Sequence, residues 1–290
     1  MSVIREDILA IEVSGIAKVA LEGLSDPDVI PLWFGESDLT TPDVVRDAAK
    51  AALDEGRTFY SYARGRVELR AALQRYHQRI YGIELAQERL AVPGSTMLSV
   101  VIACQCLLQR GDEIIIIGPN WPNIGMAAQV QGGRVVPVRL GEDRSGWHLD
   151  LDAVKAAISE NTKALYVNSP SNPTGWIMTA EEAKALLELC REHGLGIISD
   201  EVYHRNVFEG ANPAPSFLTL AEPEEPVFVV NGFSKAWAMT GWRLGWLVAP
   251  LGMVQALDVL AEINNTSATS FVQFGGVAAL EHGEAFLESF

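Results

Sequence analysis

Apolar residues along this chain fall into two alternating periodicities. Val44, Val45, Ala48, Ala49 and Leu53 recur at helical spacing behind Thr41-Pro42, which reads as an N-cap with proline at the first helical position. Leu69, Leu73, Tyr76 and Ile80 continue that spacing, and residues 97–108 form a largely apolar helical stretch. From about residue 90 short apolar runs alternate with helical patterns. The runs are 114–117, 134–138, 164–167, 195–199, 227–230 and 244–248, with helices expected over 150–158 and 179–190. Thr179 and Glu182 make a capping box for the latter. Apolar strands separated by helices predict an α/β fold: a mainly parallel sheet with helices on both faces. In such sheets ligands sit beyond the carboxyl ends of the strands.

Composition narrows the class. The chain has 290 residues, 48% of them hydrophobic, enough for a sizeable core. Its 22 Lys and Arg against 37 Asp and Glu give a net charge of −15, which argues against general nucleic-acid binding. Residues 97–108 are too few to span a bilayer, and Arg5, Glu6 and Asp7 stand where a signal peptide needs an apolar core, so no membrane association is expected. Three cysteines, Cys104, Cys106 and Cys190, suit a reducing compartment, and a cytoplasmic location is expected.

Three expected strand ends carry polar clusters. Asn168-Ser169-Pro170-Ser171-Asn172-Pro173-Thr174-Gly175 follows one, Asp200-Glu201-Val202-Tyr203 another, and Asn231-Gly232-Phe233-Ser234-Lys235 a third. The sheet would bring them to one rim. Lys235 is flanked by Phe233, Ala236 and Trp237, and an amine in apolar surroundings gives up its proton more readily. Asp200 can pair with a cationic ring nitrogen, Tyr203 can donate to a phenolate oxygen, and Arg243 can hold a phosphate in a bidentate grip. Gly94-Ser95-Thr96 opens an apolar helix, a natural phosphate cradle. Trp121 can stack on a planar ring. Taken singly, each has an ordinary reading: turn, core packing or surface ion pair. Together they suit one ligand, pyridoxal 5'-phosphate. Other chemistries find less footing. Gly232-Phe233-Ser234-Lys235-Ala236 lacks the last glycine of a nucleophile elbow, and the five histidines show no metal spacing.

These motifs carry a resemblance. The stretches Phe59-Tyr60 with Gly65, Glu68, Leu69 and Arg70, then Gly111-Asp112-Glu113, then Asn168 to Gly175, Ser199 to Tyr203 and Ser234 to Gly245 resemble fold-type I pyridoxal-phosphate-dependent aminotransferases of class I/II. The resemblance runs from about Pro31 to the end. It implies that Lys235 is the Schiff-base lysine and proton shuttle, that Asp200 faces the pyridine nitrogen, and that Tyr203 and Asn172 contact the ring oxygen. Arg243, Ser95 and Thr96 would bind the phosphate, and Trp121 would cover the ring. Gly35 and Asn172 would meet the substrate. Tyr60 would reach the neighbouring subunit's phosphate, implying a homodimer with shared sites. Residues 1–45 would be an N-terminal arm and small-domain segment, and 46–290 the cofactor-binding large domain.

The implied reaction moves an amino group from an amino acid to a 2-oxo acid. A carbon–sulfur β-lyase sharing Pro31-Leu32-Trp33 and an inactive cofactor-binding scaffold are the alternatives. Two departures stand out. Gly232 occupies a position where the family often has a phosphate-binding serine. Neither Ser95-Thr96-Met97 nor Glu262-Ile263-Asn264 supplies a basic residue for an acidic side chain, so no aspartate preference is expected. The family's small-domain arginine for the substrate carboxylate has no counterpart before Phe290, so the C-terminal small domain is expected to be missing from this chain.

Overall fold

A computed structural model of the chain describes residues 3–12, 14–144, 146–208, 210 and 212–289. The expected domain limits at Met1 and Phe290 lie outside the described residues. Nine strands are present among the described residues: β1 (Leu90–Gly94), β2 (Glu113–Gly118), β3 (Arg134–Arg139), β4 (Gly141–Asp143), β5 (Gly146–His148), β6 (Thr162–Asn168), β7 (Gly196–Asp200), β8 (Val227–Gly232) and β9 (Gly245–Val248). Ahead of the sheet come α1 (Glu6–Leu9), α2 (Gly15–Gly23), α3 (Asp43–Asp54) and α4 (Val67–Tyr81). Between strands lie α5 (Thr96–Leu107), α6 (Asn123–Val130), α7 (Leu151–Ala156), α8 (Ala180–His193) and α9 (Phe233–Ala236). The chain closes with α10 (Val254–Asn265), α11 (Ser270–His282) and α12 (Glu284–Ser289).

Seven strands form one sheet in the order β1-β9-β8-β7-β6-β2-β3, and β4 and β5 make a separate hairpin. The five strands from β8 to β3 are parallel, whereas β9 runs antiparallel to both β8 and β1. The mainly parallel reading therefore holds, with an antiparallel edge. Alternation along each strand explains why both faces need helices. Ile115, Ile117, Leu165, Val167, Ile197 and Val229 pack with Leu69, Leu73, Leu186 and Val272, from α4, α8 and α11. Ile114, Ile116, Ala164, Tyr166, Ile198 and Val230 pack with Val100, Ala103, Ile124 and Leu257, from α5, α6 and α10.

Local chemistry sets the helix ends. The capping box of α8 is formed: Thr179 Oγ1 accepts from the Glu182 amide at 3.1 Å, and Glu182 Oε2 accepts from the Thr179 amide at 2.8 Å. The helix stops at Gly194, whose φ of +65° suits a residue without Cβ. The start of α3 corrects the sequence reading. Pro42, not Thr41, is the N-cap residue. Thr41 is drawn away by tertiary bonds, donating from Oγ1 to the Ala238 carbonyl at 2.6 Å and accepting from Trp242 Nε1 at 2.9 Å. Those bonds tie the start of α3 to the turn that carries Arg243.

No helix among the described residues is long and apolar enough to cross a membrane. Nor do they gather three or more His, Cys, Asp or Glu side chains suited to a metal ion.

Candidate active site

Parallel register places the polar strand ends side by side. Asn168 pairs with Asp200 across β6–β7, and Asp200 pairs with Val230 across β7–β8. Five residues beyond Val230, in the one-turn helix α9, comes Lys235. A crevice of about 620 Å³ opens above this rim, lined by Thr96, Trp121, Tyr166, Asn172, Asp200, Tyr203, Lys235 and Arg243 together with Trp33 and Gly35. A second cavity of about 670 Å³ continues from it past Asn172, Tyr203 and Lys235 toward Asn206 and Phe208. The first reaches the buried acid and is where the chemistry gathers.

Asp200 forms the floor and is 5% exposed. Tyr166 donates from its hydroxyl to Oδ2 at 2.9 Å, and the Val202 amide donates to Oδ1 at 3.2 Å. Burial pushes the carboxyl up to about 6, against the pull of these donors and of the Lys235 charge. At neutral pH it is an ionised carboxylate beneath a cavity.

Lys235 is partly buried. Its Nζ donates to the Gly35 carbonyl at 2.5 Å and lies 5.7 Å from the Tyr203 ring centre. Desolvation lowers its proton affinity and Arg243 adds to the effect, while Glu36 and Asp200 oppose it. A Cβ on Gly35 would crowd Tyr203 Oη at 3.1 Å and meet Lys235 Nζ in ordinary contact at 3.5 Å.

Asn172 Nδ2 donates to Tyr203 Oη at 3.3 Å. Asn168, named in the sequence only as part of a turn, supports that pair. Its Oδ1 accepts from the Asn172 amide at 2.8 Å, and its Nδ2 donates to the Asp200 carbonyl at 2.9 Å. Arg243 takes a left-handed backbone with φ of +52°, and its Nη1 donates to the Thr240 carbonyl at 2.7 Å. Thr240 in turn bonds Glu36.

Not every expected residue converges. Ser95 is absent from the lining of either cavity, and its Oγ accepts from the Leu98 amide at 3.3 Å, capping α5. Tyr60 is 89% exposed and lies outside the crevice of its own chain. Thr96 does line the crevice, and it accounts for the missing serine. A Cβ on Gly232 would come within 2.0 Å of Thr96 Oγ1. The threonine hydroxyl, donating to the Asn231 carbonyl at 3.1 Å, occupies that space from the facing helix. Tyr166 was missed by sequence reasoning. The period-2 pattern puts it on the same face as Asn168, but nothing in one strand says which neighbouring side chain that face meets.

The profile of the family described as aminotransferase class I and II matches residues 27–289. The chain belongs to that family. The chain is 35% identical to the aspartate aminotransferase of Pyrococcus horikoshii over 98% of its own length and 71% of that one. It is 36% identical to the aspartate aminotransferase of Geobacillus stearothermophilus over 87% of this chain and 64% of that one. Among solved structures, the aspartate aminotransferase from Thermus thermophilus with maleate superposes with a TM-score of 0.91 at 33% identity, covering 100% of this chain and 76% of that one. The chain thus spans about two thirds to three quarters of the length of these relatives. The family is pyridoxal-phosphate-dependent.

The donor set fits that cofactor by its chemistry. A buried carboxylate suits a cationic ring nitrogen, the Asn172–Tyr203 pair suits a ring oxygen, and a partly desolvated amine suits a carbonyl carbon. The Arg243 guanidinium and Thr96 hydroxyl suit a phosphate, and Trp121 offers a flat face.

Proposed function

We propose that this chain moves the amino group of an α-amino acid to a 2-oxo acid, using pyridoxal 5'-phosphate held through Lys235. The carrying observation is the convergence of Lys235 Nζ, the Asp200 carboxylate and the Tyr203 phenol on one crevice. When bound, the cofactor supplies a carbonyl carbon for amines and a pyridinium ring that withdraws electrons. Asp200 would hold the ring nitrogen in its protonated form, because a carboxylate in a desolvated floor strongly favours a cation beside it. Lys235 Nζ serves as the base at the substrate α-carbon, taking the proton and returning it. Tyr203 and Asn172 would hold the ring oxygen, Trp121 would cover the ring, and Arg243 with Thr96 would grip the phosphate. Ser95 acts there only indirectly, by opening α5. Gly35 and Asn172 border the space left for substrate.

Residues 46–290 form the cofactor-binding body on this reading, and the arm before residue 46 contributes Trp33 to Glu36 to the crevice wall. Tyr60, exposed beside Phe59 and Tyr62, reaches the cofactor phosphate of a second copy in a homodimer. The location is cytoplasmic. The relatives' names point to aspartate as one candidate donor, and Met97, Val100, Leu32 and Trp33 in the lining favour apolar side chains as another.

Purified protein loaded with pyridoxal phosphate, reduced with borohydride and peptide-mapped, should carry the cofactor on Lys235, and Lys235→Ala should carry none. A panel of amino donors with 2-oxoglutarate should yield glutamate. Release of ammonia and pyruvate without glutamate would establish the β-lyase instead.

A further inference from the structure

Tyr166 sits on β6 among Ala164, Ile198 and Val230, in a layer where phenylalanine would pack as well. It is 1% exposed. A hydroxyl buried there is destabilising unless it finds a partner. Its partner is Asp200 Oδ2, at 2.9 Å, and both residues line the crevice. The Val202 amide fixes the other carboxylate oxygen. Two donors from two directions set the plane of the carboxylate and leave lone pairs on both oxygens for a ligand. Burial keeps the phenol of Tyr166 protonated far above its usual range, so toward a carboxylate it can only donate. We infer that Tyr166 is a positioning residue: its hydroxyl holds the Asp200 carboxylate ionised and oriented toward the crevice, and so sets how firmly that carboxylate holds a cationic ring. This rests on the function proposed above.

Other charged or titratable groups face the pair. Lys235 from α9 favours the charged carboxylate, while Tyr203 and Glu201 follow Asp200 on its own segment. Cys104 faces Tyr166 from α5, its thiol pushed up to about 12 by burial and therefore neutral. Among these, only Tyr166 donates a side-chain hydrogen bond to Asp200.

The test reads Asp200 directly. In whole chain labelled with ¹³C at the aspartate carboxyls, the Asp200 resonance, identified by its loss in Asp200→Asn, should titrate near pH 6. In Tyr166→Phe the midpoint should rise by about one to two pH units, the size expected from losing one hydrogen bond to a charged group. The acid-side fall in pyridoxal phosphate affinity should move up with it. A 3-fluorotyrosine at position 166, a stronger donor of nearly the same shape, should move both midpoints the other way, and it decides the matter if Tyr166→Phe does not fold. A midpoint unmoved by either change, or moved the same way by both, would reduce Tyr166 to packing. Wild-type protein that binds no cofactor at any pH would overturn the proposed function, while the resonance titration would still decide the role of Tyr166.

Discussion

Two polar clusters are buried on opposite faces of the same sheet. On the face under α5, Asp200, Tyr166 and Lys235 meet beneath an open crevice. On the other face, Tyr76, His77, His204, Trp237 and Trp246 interlock edge to face, with Tyr76 Oη 2.6 Å from His204 Nε2 and Trp246 Nε1 donating to His77 Nε2 at 3.2 Å. Both clusters hold titratable groups far from their ordinary behaviour. Burial drops His77 to about 4 and His204 lower than its usual range, just as it raises Asp200. Yet the imidazoles line neither cavity, and Nδ1 of each lacks a hydrogen-bond partner among the described residues. A displaced titration is thus common to a sealed core and to an open candidate site. Access, and the presence of an amine and a carboxylate aimed at one space, separates them.

The sharpest way to break that contrast is Asp200→Asn. Turnover should fall by roughly 100-fold or more, since a dominant electrostatic element is removed. Stability should move the other way. The folded chain holds this proton more tightly than the unfolded chain, so the acid's contribution falls as pH rises from about 4 to 6 and is flat above. The cofactor-free variant should therefore be more stable than wild type at pH 8, on the order of 1–3 kcal/mol, with the gain shrinking toward pH 4. Denaturant melts at several pH values read this directly. Loss of stability together with unchanged turnover would make Asp200 a structural acid like those of the sealed cluster.

Next in size is Arg243→Lys. The charge stays but the planar fork is lost, so pyridoxal phosphate should be held about 10-fold more weakly. Cofactor release measured by dialysis or fluorescence tests this. An unchanged affinity would leave Arg243 as no more than the residue that closes its turn onto Thr240.

The sealed cluster should answer in reverse. Tyr76→Phe strands His204 Nε2 without its partner and should cost about 1–2 kcal/mol of unfolding free energy. Its kcat, normalised to bound cofactor, should stay within about twofold. A tenfold drop in kcat at wild-type stability would mean that the two faces are coupled through the sheet.

The sequence made much of this placement legible for a simple reason: strands buried on both faces read as apolar runs, and the residues just after each run sit on the rim. Asp200, Tyr203, Asn172 and Lys235 are found that way; Arg243, just ahead of the run at 244–248, is singled out by its guanidinium, and the roles of all five come from side-chain chemistry and the family resemblance. Period and propensity reach less far at the edges. Strand β1, Leu-Ala-Val-Pro-Gly, is short and ends in two residues that discourage pairing, and it escaped notice. The antiparallel direction of β9 depends on the turn after Lys235, which no hydrophobic pattern encodes. Thr41 looked like a cap because capping is local, whereas its actual partners, Ala238 and Trp242, lie some 200 residues away in sequence. Tyr166 was hidden for the same reason.

The smallest expected effect concerns the rim itself. Gly232 and Thr96 face each other with room for one side-chain oxygen, and here the helix supplies it. Gly232 has an extended backbone, with φ of −167°, so its conformation does not demand glycine. Gly232→Ser should therefore cost stability only through collision. Thr96 must rotate and release the Asn231 carbonyl, a loss of about 1 kcal/mol. Cofactor affinity should fall with it, because two hydroxyls cannot both point into the end of the crevice proposed to take the phosphate. Adding Thr96→Ala should relieve the clash and return most of both losses, since the serine then presents the hydroxyl from the strand side. A double-mutant cycle should show coupling of about 1 kcal/mol. Additive losses would mean that the two positions do not share one space, and that the crevice uses Thr96 for something a serine across the gap cannot supply.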